Sequence, residues 1–350
     1  MIGARIRLVR EVCGMTQKDL GDLIGTTQSG VASIEAGLYR PSPEFLDTIA
    51  QRTGFKASFF EKREATEFPV GTLLYRAQAS VKKSARNRAH AMANLGFEVA
   101  LLLSSKLKKI AINIPRLNED PVTCAQITRA SLGLSPNTPI KNLMLCLEKN
   151  GVFVLSVPME ADGFDGFSSW AGMEPPKPII ALLEGKYGYR QVFTMAEELG
   201  HLVMHSPLRV SLQDADQEAR GFAREFLLPA EAMRAEMQSP VTISGLAPLK
   251  PRWGVSIRFL AKRADSLGLV TKNQFRYLMQ QINGWGKLEP GDGDITPERP
   301  RLLRKMAEMA YGSPIDFGKL SADAGLSPGM LRSLLSIEER ARVLEFKSRQ

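Results

Sequence analysis

A chain of 350 residues exceeds what one small core can hold, which predicts two or three domains. Hydrophobic residues at 44% and charged residues at 24% are globular values and exclude a disordered, collagenous or coiled-coil chain. A net charge of +9 favours a polyanionic partner. No apolar run approaches the roughly 20 residues that cross a bilayer, and the start MIGARIRLVREVCG lacks the apolar core of a signal peptide, so the expected address is the cytoplasm, with no membrane partner. Cys13, Cys124 and Cys146 show no CxxC pairing, which argues against a disulfide framework or a thiolate zinc knuckle.

The first 64 residues read as five short helices. Ile2 to Cys13 places Ile6, Val9 and Val12 at helical spacing, and Gly14 ends it. Thr16, with Asp19 three residues on, caps a second helix carrying Leu20, Leu23 and Ile24. Gly25 and Thr26 then turn the chain, Thr27 caps a third helix holding Val31 and Ile34, and Gly37 stops it. A fourth begins near Ser42, with Pro43 in its first turn. Two helices joined by a short turn, the second polar on its outer face, meet the requirement of a helix-turn-helix.

The run GMTQKDLGDLIGTTQSGVASIEAGLYRPSPEFLDTIAQRTG resembles the XRE/Cro-type helix-turn-helix family in its capped glutamine, its T-T-Q-S opening and its I-E-A-G ending. The resemblance implies that Gln17 meets phosphate, that Gln28, Ser29 and Ser33 look into the major groove, and that Arg40 meets backbone beyond the recognition helix. A glutamine amide can bond adenine in a bidentate way, and a serine can bond several bases. The implied partner is a double-stranded DNA operator, bound by a homodimer.

Residues 64–76, with Pro69 and Gly71, read as a linker. A helix is expected from Ser84 to Lys109, with Met92, Leu95, Val99, Leu102 and Leu103 as its apolar stripe. Arg76, Lys82, Lys83, Arg86, Arg88, Lys106, Lys108 and Lys109 are opposed in this region only by Glu98, so it is either a solvated face or a stretch near a phosphate backbone. Helices follow at 126–133 and 140–149, then strands at 152–157 and 179–183. Helical patterns return at 255–281 and 301–347, separated by EPGDGDITPERP, and the stretch DFGKLSADAGLSPGMLRSLLS is expected to pack as a tail on the preceding domain. The predicted architecture is mainly α with an α+β second domain. Residues 1–66 form a five-helix bundle, 67–120 a helical connector, 121–290 a domain with a small sheet, and 291–350 a helical tail.

Between the second strand and the C-terminal helices lies YRQVFTMAEELGHLVMH, which carries His201 and His205; His90, the third histidine, reads as a surface residue. In an HExxH helix two histidines at i and i+4 bind a metal while the intervening glutamate acts as general base. Here the series is Glu197, Glu198, Leu199, Gly200, His201, so a carboxylate stands at the first ligand position. His205, one turn on, is a further candidate ligand by spacing or a support for the fold. Trp170, Trp253 and Trp285 read as core or interface aromatics.

The stretches KNLMLCLEKNGVFVLSVPM, DGFSSW (read as a turn), PIIALLEG, FTMAEELGHLVMH and DADQEARGFAREFLLPAEAM together resemble the ImmA/IrrE family of metallo-endopeptidases over about Cys124 to Leu269. The resemblance implies a zincin-like fold, Glu198 as catalytic base, and a divalent metal, zinc in the family, held by Glu197, His201 and Asp216, with Glu218 at a second acidic position. Two ligand positions depart from the family pattern, and two carboxylates weaken an ion's ability to activate water. The expected function is a DNA-binding regulator whose second domain senses a ligand, metal or partner protein without peptidase turnover. The alternatives are a zinc endopeptidase that cleaves a repressor or itself, and an antitoxin or partner-binding module.

Overall fold

Capping chemistry sets the first helices. In the computed structural model, which describes residues 2–62, 69, 81–161, 163–172, 175–205, 212–286, 289–291, 293 and 295–337, the N-terminal bundle consists of α1 (Ile2–Val12), α2 (Gln17–Ile24), α3 (Gln28–Glu35), α4 (Pro43–Thr53) and α5 (Ala57–Glu61). Thr16 and Asp19 form a reciprocal capping box at α2, with Thr16 N–H donating to Asp19 at 2.8 Å and Asp19 N–H to the Thr16 hydroxyl at 3.1 Å. The Thr16 N–H and, at 2.7 Å, the Thr16 hydroxyl both donate to the Asp19 carboxylate and hold it below its usual range. Gly25 closes α2 in the left-handed region at φ 74°, a conformation that lets the chain turn at once into α3. Inside, Ile6, Val9, Leu20, Val31, Ile34 and Ile49 are buried in the same core as Phe59.

Most of the expected linker, with Arg76, lies outside the described residues, as do residues 338–350. The long helix α6 (Lys83–Ser105) lies against α1, and Met92, Leu95, Val99 and Leu103 of the expected stripe are buried while Leu102 is half-buried. This helix divides the basic stretch. Lys82, Lys83, Arg86 and Arg88 sit at its start and Lys106, Lys108 and Lys109 beyond its end, about 33 Å apart at 1.5 Å per residue. The described cations therefore form two separate groups.

Helices α7 (Pro121–Ser131) and α8 (Leu143–Lys149) precede a three-stranded sheet of β1 (Phe153–Val157), β2 (Gly166–Ala171) and β3 (Lys177–Leu183). The order is β1-β3-β2. β1 runs parallel to β3 with Phe153 opposite Ile179, and β2 runs antiparallel with Gly166 opposite Leu182. The stretch DGFSSW, read as a turn from the sequence, lies for the most part in the edge strand β2. Both faces of the sheet are covered: Phe153, Leu155 and Val157 join one core with α6 and the N-terminal bundle, while Val154, Ile180 and Leu182 join a second core. That period of two is the strand's own geometry.

The second core is built on α9 (Gly188–Met204) and α10 (Leu212–Leu227). Around them stand α11 (Ala230–Glu236), α12 (Ile243–Leu246), α13 (Leu249–Trp253), α14 (Ile257–Ser266) and α15 (Lys272–Gly284). The C-terminal helices α16 (Leu302–Tyr311), α17 (Phe317–Ala324) and α18 (Pro328–Leu334) belong to the first core instead. Their placement on β1 is as expected of the tail, and the structure adds a second surface. Leu326 bridges to Phe55, and Lys56 N–H donates to the Gly325 carbonyl at 3.1 Å, so the tail seals the N-terminal bundle as well as β1 and α6. Two carboxylates, Glu148 buried and Glu298 half-buried, stitch the approach to it: Glu298 accepts from Leu143 and Met144 N–H at 3.1 and 2.6 Å, and Glu148 accepts from Arg301 and Leu302 N–H at 2.9 Å each.

Candidate functional site

The outer face of α3 is open. Gln28, Ser29 and Arg40 are exposed and Ser33 is half-buried, while Val31 and Ile34 anchor the opposite face. Thr27 caps the helix through Gly30 N–H at 3.1 Å and lies 3.0 Å from the Ser29 hydroxyl, which orients the first turn. Gln17 is placed differently from the other four: its amide donates to Glu35 at 2.9 Å, and Glu35 in turn accepts from Arg10 at 2.6 Å. The loop after α3 adds two residues that sequence reasoning missed, Leu38 at 83% and Tyr39 at 61% exposure, beside Arg40.

The altered metal helix is buried where the sequence places its chemistry. Glu197, Glu198 and His201 are 4%, 0% and 2% exposed on α9. α10 lies against this segment because Gly200 carries no side chain: a Cβ there would stand 3.0 Å from the Phe222 ring. The Arg220 Nε donates to Glu197 at 3.3 Å, and its terminal nitrogen lies 3.6 Å from Asp216. His201 Nε2 is 3.7 Å from the other Asp216 oxygen. His201 and His205 meet through their Nδ1 atoms at 2.9 Å, and His205 Nε2 lies 3.0 Å from Glu218. Glu198 faces β2, where the Ser168 hydroxyl sits 2.8 Å from its carboxylate. One residue pair along, Trp170 donates to the Leu202 carbonyl at 2.9 Å, and the Arg116 guanidinium lies 4.0 Å from the Trp170 ring centre.

Glu197, His201 and Asp216 are thus brought together, with His205 and Glu218 forming a chain behind them. A zinc ion requires donors turned to one point at about 2.0–2.3 Å. Glu197 and Asp216 are instead both turned to a guanidinium, and among the described residues no three His, Cys, Asp or Glu side chains converge to hold an ion. The residues present do not fit the metal. Arg220 and Ser168 carried no sequence signal, because an arginine four residues after an aspartate reads as an ordinary surface pair.

Elsewhere, His90 is half-buried in a cleft between α1 and α6. Trp253 is buried, while Trp170 and Trp285 pack at the border of the second core. A cavity of about 500 Å³ opens at the carboxyl ends of β1 and β3, lined by Ser156, Lys186, Arg299 and Ser336 among others.

The geometry is that of a DNA-reading helical bundle joined to a peptidase-like module. Residues 6–60 match the family model described as helix-turn-helix, and residues 147–265 match the one described as IrrE N-terminal-like domain. The chain is thus a fusion of an XRE-type helix-turn-helix with an IrrE-like domain. No curated protein matches it. α7 precedes the second match but shares its core through Cys124 and Ala125. No described helix is long and apolar enough to cross a membrane.

Proposed function

We propose that the protein is a cytoplasmic transcriptional regulator: residues 1–66 read an operator as a homodimer, 67–120 connect, and the IrrE-like module of 121–290 serves as sensor or interaction domain without peptidase turnover, backed by the tail of 291–350. The observation that carries this reading is the exposed, capped face of α3, with Gln28 and Ser29 outward and Val31 and Ile34 in the core. A recognition helix needs that arrangement, because its base-reading amides must be free while its inner face is fixed. The cavity beside β1 and β3 supports a small-molecule effector, since ligands favour the carboxyl ends of parallel strands. The carboxylate at the first ligand position and the Arg220 guanidinium beside Glu197 and Asp216 support the absence of turnover.

Binding of the full chain to operators selected from random duplexes tests the reading. Gln28→Ala should weaken the selected sites by roughly 1–3 kcal/mol and relax their sequence preference. Arg40→Ala should weaken all duplexes alike and reduce the salt slope by about one. Tight sites should hold two half-sites about 34 Å apart. If the full chain binds no duplex in a salt-sensitive way, the regulator reading is wrong.

A further inference from the structure

Two carboxylates on neighbouring helices, Glu197 and Asp216, are held within reach of one another in a largely buried site, with side-chain exposures of 6% and 24%. Like charges brought this close raise each other's energy unless a cation stands between them. In a metal site the ion is that cation. Here the cation beside both carboxylates is Arg220, whose Nε donates to Glu197 at 3.3 Å and whose terminal nitrogen stands 3.6 Å from Asp216. We propose that Arg220 is a built-in substitute for the metal ion: its guanidinium binds the two acidic ligand positions together and keeps divalent cations out of the site.

The local structure supports the assignment. Arg220 lies four residues after Asp216 on α10, so both occupy one helix face. The close packing of Gly200 on Phe222 then sets Glu197 of α9 opposite them. A surface pair confined to α10 would end at Asp216, whereas this guanidinium reaches across to a buried carboxylate on another helix. Its charge is permanent and its fork of donors can serve two carboxylates at once, which a compact ammonium does less well. An incoming dication would have to displace a tethered cation and then sit beside its charge. The module's state would therefore be independent of metal supply, and its signal must enter by another route.

The inference rests on the IrrE-like reading of α9 and α10 and not on DNA binding, so failure to bind an operator would leave it standing. The test is calorimetric titration of the full chain with zinc alone, in competition with a chelator. The natural protein and Arg220→Lys should bind zinc weakly. Arg220→Gln should bind one equivalent roughly tenfold tighter or more, a step of about 1.4 kcal/mol, and Arg220→Gln/Glu197→Gln should lose that gain. Because Arg220 is 58% exposed, the Gln variant should fold, which circular dichroism checks. Independently of any variant, a chelator should leave the thermal midpoint of the natural protein unchanged. A chelator-induced fall of several degrees in the natural protein overturns the proposal, and so does an Arg220→Gln variant that binds zinc no more tightly than the natural chain.

Discussion

Burial pushes the Cys13 thiol up from 9.0 to about 11, against the pull of the nearby Arg88 cation, and burial also raises Cys124 and Cys146. The thiolate is the reactive form, so a rise from 9.0 to about 11 should slow alkylation of Cys13 about 100-fold at pH 8 relative to the unfolded chain. Mass spectrometry of iodoacetamide-treated protein checks this: the native chain should stay largely unmodified while the denaturant-unfolded chain takes three labels. Alkylation of the native chain at the unfolded rate would refute it. The raised value also fixes a sign. The folded state holds the proton more tightly, so this group's contribution to stability is full below pH 9.0 and is lost as pH rises through about 11. At this scale the sequence was partly legible. The pattern around Glu198 and His201 located the altered metal helix, but Arg220 was silent because only packing carries it from α10 to Glu197.

Helix α9 and helix α10 define the element scale, and Gly200 sets their spacing. A Cβ at Gly200 would come within 3.0–3.2 Å of the Phe222 ring, which is fully buried and has nowhere to move. Overpacking costs about 1–3 kcal/mol, while replacing a helical glycine by alanine returns about 1 kcal/mol. Gly200→Ala should therefore change stability little, whereas Gly200→Val, which adds branching as well as volume, should cost about 3 kcal/mol in urea unfolding. A neutral valine variant would mean that α9 and α10 can move apart freely. Strands β1 and β3 were legible as β-branched and aliphatic runs bounded by turns. β2 was not, because Ser168 and Ser169 are buried polar residues and leave no alternating pattern to read.

Across the whole molecule, a buried ion pair fastens the N-terminal bundle to the rest. Arg5 of α1 lies 2.6 Å from both carboxylate oxygens of Glu98 on α6, with its guanidinium carbon 4.8 Å from the centre of the Phe59 ring. Side-chain exposures of 2% and 14% leave little solvent to screen it. Removing one partner of such a pair strands the other, at about 3–5 kcal/mol, while replacing both by apolar residues is often nearly neutral. Glu98→Ala should thus lower stability strongly, and Arg5→Met/Glu98→Leu should recover most of the loss in a double-mutant cycle. Additive losses would show that the two charges do not interact. Glu98 looked from the sequence like one acid among many bases. Its role appears only when α6 is folded back on α1, a pairing no local pattern encodes. The tail's contact with the N-terminal bundle was hidden for the same reason: its helices and its place on the sheet domain were legible, but not the whole surface they cover.

That covering has a consequence in time. Phe55 is paired with Leu326, and the first core, which holds Phe59, also holds Leu331 and Leu335, residues made at the far end of the chain. At synthesis rates of about 5–20 residues per second, roughly 15–55 s separate the emergence of the DNA-reading bundle from that of the helices which seal it. Throughout this interval Phe55 and Phe59 lack part of their cover, and the bundle stays short of its finished stability until residues 326–335 have been made. A ribosome that stalls between these points releases a bundle without its seal, so incomplete copies are the ones that proteolysis removes most readily.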